Sequence, residues 1–213
     1  MRDFPVFTTQ NGAASIVLRE VPYRGEAYIT LRDTLQPEAL LAECVDFCKI
    51  AGADKIYATG HDVLEKYPLH TAVIKMQQLR QSLPEGTGCL FPVTEQTAEQ
   101  WRSIYNEKMR DVPNASTMTR EDMKQYISQG GCYFVHNADT LLGIGLIQGE
   151  KIQAIAACKP GAGEIVLVSL CNAMFSEMVT VEVASTNIPA IRLYERLGFR
   201  KVAEISRWYN VNK

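Results

Sequence analysis

Apolar and polar positions along the chain fall into short runs whose period switches between two and about 3.6. Alternation with β-branched content predicts strands at 15–20 and 27–32, with Pro22-Tyr23-Arg24-Gly25 as the turn between them. Apolar residues at 40, 41, 44, 45, 47, 48 and 51 keep helical spacing, with Pro37 suited to the first turn and Gly52 to the stop. A strand at 55–59, a short helix at 62–67 and a strand at 71–79 follow. Then Gln81-Ser82-Leu83-Pro84-Glu85-Gly86-Thr87-Gly88 gathers polar residues and chain breakers, which predicts a domain boundary.

Beyond it the pattern starts afresh. A strand at 90–94 leads to helices at 97–110 and 119–128, and the second opens on Thr119-Arg120-Glu121-Asp122, whose acids suit a helix N-terminus. Strands at 132–136, 140–148 and 151–157 follow, joined by Asn137-Ala138-Asp139 and Gly149-Glu150, which predicts an antiparallel meander. The chain closes with a helix at 164–173, a strand at 179–184, a helix at 188–197 and a strand at 200–210. The order strand, helix, strand, short helix, strand thus occurs twice, over 27–79 and 151–210. The spacing is not kept between the copies, so duplication and chance recurrence both stay open.

Composition narrows the class. With 213 residues, 46% apolar and 22% charged, the chain can bury a sizeable core, as one generous domain or two small ones. A net charge of −2 offers no basic field for nucleic acid and no polybasic segment for a membrane surface. The longest charge-free apolar run, about 165–176, is too short to span a bilayer. Met1-Arg2-Asp3-Phe4-Pro5 lacks an apolar leader region, so a soluble, cytoplasmic protein is expected. The six cysteines form no Cys-x2-Cys pair and read as thiols. Cys44 and Cys48 share a helix face but have no third ligand nearby, so no metal site is expected. His61, His70 and His136 form neither a ligand set nor a triad.

Two stretches carry chemistry. In Lys159-Pro160-Gly161-Ala162-Gly163-Glu164 a strand end passes through two glycines into an apolar helix. Glycines let bare amides approach a ligand, and the helix N-terminus carries about half a positive charge, which suits phosphate. A tight connection that holds nothing explains the same residues equally well. The loop is no P-loop, because no Gly-Lys-Ser/Thr follows, and Val166 occupies the third glycine position of a dinucleotide fingerprint.

The second stretch is Asn187-Ile188-Pro189-Ala190-Ile191-Arg192-Leu193-Tyr194-Glu195-Arg196-Leu197-Gly198-Phe199. It closely resembles motif B of the GNAT superfamily of acetyl-CoA-dependent N-acetyltransferases, Asn-x-x-Ala-x-x-Leu-Tyr-Glu-x-x-Gly-Phe. Beside it the glycine loop looks like the family's pyrophosphate loop, although Cys158 stands where the family usually has Arg or Gln, and Pro160 shortens the approach. The resemblance implies an α/β GNAT fold over 89–213, a mixed and mostly antiparallel sheet with a splayed strand pair and flanking helices. An N-terminal α/β lobe over 1–88 lies outside it. That lobe is either a degenerate half of the same fold or unrelated; it lacks a glycine loop and carries Leu64 where the other half has Tyr194.

The resemblance also implies roles. The pantetheine arm of acetyl-CoA would pair with the backbone of Ile155, Ala156 and Ala157, on a strand whose small side chains at Ala154, Ala156 and Ala157 suit either close approach or ordinary packing. Gly161, Ala162, Gly163, Glu164 and Ile165 would hold the pyrophosphate. Asn187, with Ala190 nearby, would bond the pantetheine or simply cap the helix. Tyr194 would protonate the departing thiolate. Glu182, twelve residues earlier, stands where the similar ribosomal-protein alanine acetyltransferases place their base, or else faces solvent. The acceptor, an unidentified primary amine, would lie against 110–116 and a final hairpin containing Trp208 and Tyr209. The implied activity is direct acetyl transfer in a ternary complex; the alternative is a non-catalytic acyl-CoA-binding or regulatory module. No oligomeric state follows.

Overall fold

Structure begins earlier than the alternation suggests. In the computed structural model, which describes residues 5–212, strand β1 (Val6–Thr9) and strand β2 (Gly12–Val17) form a hairpin with Thr9 opposite Gly12. Gln10 and Asn11 turn it, and Gly12 opens β2 at φ +138°, a conformation that favours glycine and that the alternation alone does not show. The sequence reading of residues 1–4 lies outside the described residues.

The chain divides into two compact units, one running to Val73 and resuming at Ile205, the other spanning Ile74–Glu204. In the first, a single helical turn α1 (Val21–Arg24), ended by Gly25, leads into β3 (Glu26–Thr34), which pairs antiparallel with β2. Helix α2 (Pro37–Ile50) then crosses over to β4 (Lys55–Thr59), which pairs parallel with β3. Leu40, Leu41, Cys44, Val45 and Cys48 form the buried stripe of α2 and pack with Ile29, Leu31, Ile56 and Ala58. The thiols of Cys44 and Cys48 belong to this core, and burial pushes them up to about 12 and about 11. A 3₁₀ turn at Asp62–Lys66 precedes β5 (Leu69–Leu79), which crosses the division between the units.

The second unit runs through β6 (Cys89–Pro92), α3 (Ala98–Met109), α4 (Arg120–Gln129), β7 (Cys132–Asn137), β8 (Thr140–Gln148), β9 (Lys151–Ala157), α5 (Gly163–Asn172), β10 (Met178–Ala184) and α6 (Ile188–Arg196). Strands β7 to β9 form the expected antiparallel meander, β6 pairs antiparallel with β7, and β10 joins β9 in parallel after the α5 crossover. Thr119 and Asp122 close a full capping box on α4, as the acidic first turn suggested. One core lies under α5 and α6, with Val166, Leu167, Leu170, Val181, Tyr194 and Phe199. The other lies under α3 and α4, with Trp101, Tyr105, Met123, Phe134 and Ile144.

The last strand, β11 (Arg200–Asn210), has the predicted bounds but not the predicted partner. Its end pairs antiparallel with β4 through Tyr209↔Ala58 and Asn210↔Tyr57, so Trp208 and Tyr209 belong to the first unit and form no closing hairpin. The division also differs from the expected 88/89. Gly88 donates its amide to Ser169 Oγ at 3.0 Å, and a Cβ on Gly86 would lie 2.8 Å from Ser169 Cα. The breaker-rich stretch is therefore packed onto α5 rather than serving as a linker.

Candidate active site

The strand pair β9–β10 sets the geometry. The two strands are in register only at Thr180↔Lys151 and Val181↔Ile152. Beyond those pairs, residues 153–157 and 182–184 run on without pairing each other, which leaves the backbone of Ile155, Ala156 and Ala157 on a splayed edge. Against β8, Leu146 faces Ala154 while Ile147 faces Ile152, so Gln153 is an extra residue on β9. Such a bulge twists a strand away from its neighbour and re-aims its side chains. Ile152 thus joins the core under α5, whereas Ala154 and Ala156 are packed in the core under α3 and α4. The small side chains at 154 and 156 therefore serve packing in the first place.

The corresponding pair in the first unit does the opposite. β3 and β4 stay in register from Glu26↔Lys55 to Thr30↔Thr59 and leave no splay. Its crossover helix starts with Pro37, which removes an amide, whereas α5 starts with Gly163.

Just past the splay, Ala162 is the N-cap of α5 and no side chain caps that helix. Its first amides, from Gly163, Glu164 and Ile165, are those a ligand phosphate would meet. Gly161 has φ +79°, a left-handed conformation, and a Cβ there would meet nothing within 4 Å. The glycine is needed for backbone shape, and the space beside it is open. Gly163 is closer: its Cβ would lie 3.2 Å from Leu193 Cδ2, so the start of α5 rests on α6. Cys158, at the departing loop position, is half-buried, and burial pushes its thiol up, away from a reactive thiolate.

Helix α6 explains the second stretch residue by residue. Asn187 caps it, its Oδ1 accepting from the Ala190 amide at 3.3 Å. At the other end Gly198, with φ +85°, donates to Glu195 O at 3.0 Å, and Phe199 donates to Tyr194 O at 3.0 Å. These two bonds make a Schellman motif, and its hydrophobic staple is Tyr194 against Phe199, ring centroids 5.8 Å apart. Tyr194 is thereby fixed and buried, and burial, with a smaller contribution from Cys171, pushes its phenol up to about 12. The hydroxyl keeps its proton throughout the neutral range.

Glu182 is the first β10 residue past the last register pair. Val181 and Val183 on either side of it face the core that holds Tyr194, so strand alternation puts Glu182 on the other face. There its carboxylate meets Lys151 Nζ at 2.5 Å. Tyr194 and Glu182 thus flank the splay from opposite faces of the sheet. Lys151 does not stand out in the sequence, because a lysine opening a strand looks like ordinary solvation. Among the described residues, no group of three or more His, Cys, Asp or Glu is placed to hold a metal.

No family model matches the chain, and no curated protein matches it. Solved structures do. A putative acetyltransferase from Pyrococcus horikoshii aligns over 94% of this chain and 70% of its own, with TM-score 0.61 and 14% identity. A GCN5-related N-acetyltransferase from Sphaerobacter thermophilus aligns over 95% and 78%, with TM-score 0.53 and 11% identity. A GNAT-family acetyltransferase from Colwellia psychrerythraea aligns over 96% and 84%, with TM-score 0.53 and 14% identity. At such identities the likeness is one of fold, and the fold of this chain is that of the GNAT superfamily.

Proposed function

We propose that residues 74–204 form an N-acetyltransferase that passes the acetyl group of acetyl-CoA to a primary amine. The observation that carries this reading is the β9–β10 splay, opening between an uncapped helix N-terminus and a buried, protonated tyrosine. The pantetheine arm takes the place of a strand along Ile155, Ala156 and Ala157, and the pyrophosphate rests on the loop and first amides of α5, from Gly161 to Ile165. Asn187 and Ala190 shape the start of α6 beside the arm. Among the described residues, no helix is long and apolar enough to cross a membrane. The cytoplasm is the location we propose.

The chemistry is a direct displacement. Glu182 takes a proton from the acceptor ammonium, directly or through water, and the freed nitrogen attacks the thioester carbonyl. As the N–C bond forms and the C–S bond breaks, Tyr194 donates its phenolic proton to the departing sulfur, and the proton that the nitrogen sheds on becoming an amide restores the phenol, directly or through water. The first unit keeps the strand–helix–strand order without a splay or a glycine loop, as a half of the same fold that has lost its cofactor site would.

Calorimetry with acetyl-CoA, together with thiol release over a panel of amines, tests the proposal. Binding with amine-dependent release is the expected result, and binding without release from any amine would leave a regulatory module instead. Glu182→Gln should lower the rate by roughly 10²-fold at neutral pH, with the deficit shrinking as alkaline buffer frees the amine without help. A uniform deficit at every pH would remove Glu182 from the base role.

A further inference from the structure

Glu182 has a second lysine beside it, on the strand that borders β10 from the other side. Arg80 donates its amide to Glu177 O at 2.8 Å, and Gln77 Nε2 donates to Thr180 Oγ1 at 2.9 Å. Residue numbers fall along β5 as they rise along β10, so the two strands run antiparallel. Continuing that register places Lys75 directly opposite Glu182. The burial pattern agrees: Ile74 and Met76 pack in the core with Val181 and Val183, which leaves Lys75, Gln77, Thr180 and Glu182 on the other face. Directly opposed residues of antiparallel strands have Cβ atoms about 4.5–5.5 Å apart.

The two lysines are in different states. Lys151 is held by Glu182, whereas the side chain of Lys75, a half-buried residue in mid-strand, has no ion-pair or hydrogen-bond partner among the described residues. Two ammonium groups against one carboxylate leave a local charge of +1 at the mouth of the splay. An acceptor arriving as a bare ammonium would add a third positive charge to that face. An acceptor that brings its own carboxylate instead matches the unpartnered lysine and keeps its amine near Glu182.

From this juxtaposition we propose that Lys75 is a specificity residue, which binds the carboxylate of an acceptor that is an amino acid or a similar amine bearing an anionic group. The inference rests on the acetyl-transfer reading and deepens it. A half-buried mid-strand lysine that must share one carboxylate with Lys151 is left with an unbalanced positive charge, and a ligand carboxylate satisfies it.

The test uses matched acceptor pairs at saturating acetyl-CoA: L-phenylalanine against 2-phenylethylamine, and L-alanine against ethylamine. The expected result is a kcat/KM at least 10-fold higher for the carboxylate-bearing member of one pair. In Lys75→Met that ratio should collapse towards one, and Lys75→Arg should restore part of it; thermal melts confirm that both variants are folded. A wild-type preference for the simple amines, or a ratio unmoved by Lys75→Met, would overturn the proposal while acetyl transfer stands. Calorimetry separates the two readings where nothing turns over. With coenzyme A bound, N-acetyl-L-phenylalanine should bind at least 10-fold more tightly than N-acetyl-2-phenylethylamine, and that difference should vanish in Lys75→Met. Equal binding of the two in the wild-type protein would sink the carboxylate site itself.

Discussion

Tyr194→Phe should turn over roughly 10²-fold more slowly than the wild-type protein and bind acetyl-CoA within a few-fold as well. The ring is held by the Schellman motif at the end of α6 and by Phe199, and phenylalanine keeps both the helix end and the staple. What is lost, on the proposed mechanism, is one proton donor at the sulfur. The size of the effect follows from the high pKa. Burial, and to a lesser degree Cys171, pushes the phenol up to about 12, so it gives up its proton with little driving force and contributes at the low end of what a positioned acid supplies. The same value fixes the sign of the pH dependence. The donating form is the neutral phenol, which is present below about 12 and lost as pH rises through it. Tyr194 therefore sets no alkaline limb between pH 8 and 10, and the wild-type and Tyr194→Phe profiles should run parallel there. Stopped assays of thiol release across that range check both statements. A Tyr194→Phe protein working at the wild-type rate would reduce Tyr194 to a staple.

Much of this was readable from the chain because it is local. Helix and strand periods are set by side chains a few residues apart, which is why 140–148, 151–157 and 200–210 match β8, β9 and β11 residue for residue. Motif B was readable for the same reason. Its Asn187, Tyr194, Gly198 and Phe199 are a helix cap, a staple and a Schellman end, all within thirteen residues of one another. The unreadable features are those that join distant segments. The splay is an event of register between β9 and β10, and the bulge that aims it at Gln153 leaves no mark in composition. The pairing of β11 with β4 joins residues some 150 positions apart, so Trp208 and Tyr209 looked like parts of a local hairpin. Lys75 and Lys151 each look like a solvated strand residue until the register sets them either side of Glu182.

The glycines of β8 carry the largest expected effect on stability. Neither stands out in the sequence, yet Gly143 and Gly145 are where α5 and β9 press on that strand. A Cβ on Gly145 would lie 2.3 Å from Leu170 Cδ1, and one on Gly143 would lie 2.7 Å from Val166 Cγ2 and 2.4 Å from Ala156 O. The two sites differ in what can yield. Leu170 is a side chain, fully buried but able to change rotamer, so Gly145→Ala is an overpacking of about 1–2 kcal/mol. At Gly143 the obstacle includes the backbone oxygen of β9, which moves only if the strand moves. Gly143→Ala should therefore cost about 3 kcal/mol, or roughly 6–12 °C in Tm for a chain of this size. Its second consequence is what ties packing to function: displacing Ala156 displaces the edge along which the pantetheine arm is proposed to lie. Acetyl-CoA affinity, measured by calorimetry at a temperature where both variants are folded, should fall at least 10-fold in Gly143→Ala and much less in Gly145→Ala. Equal losses of stability with unchanged affinity in both would show that the β9 edge is not where the cofactor binds.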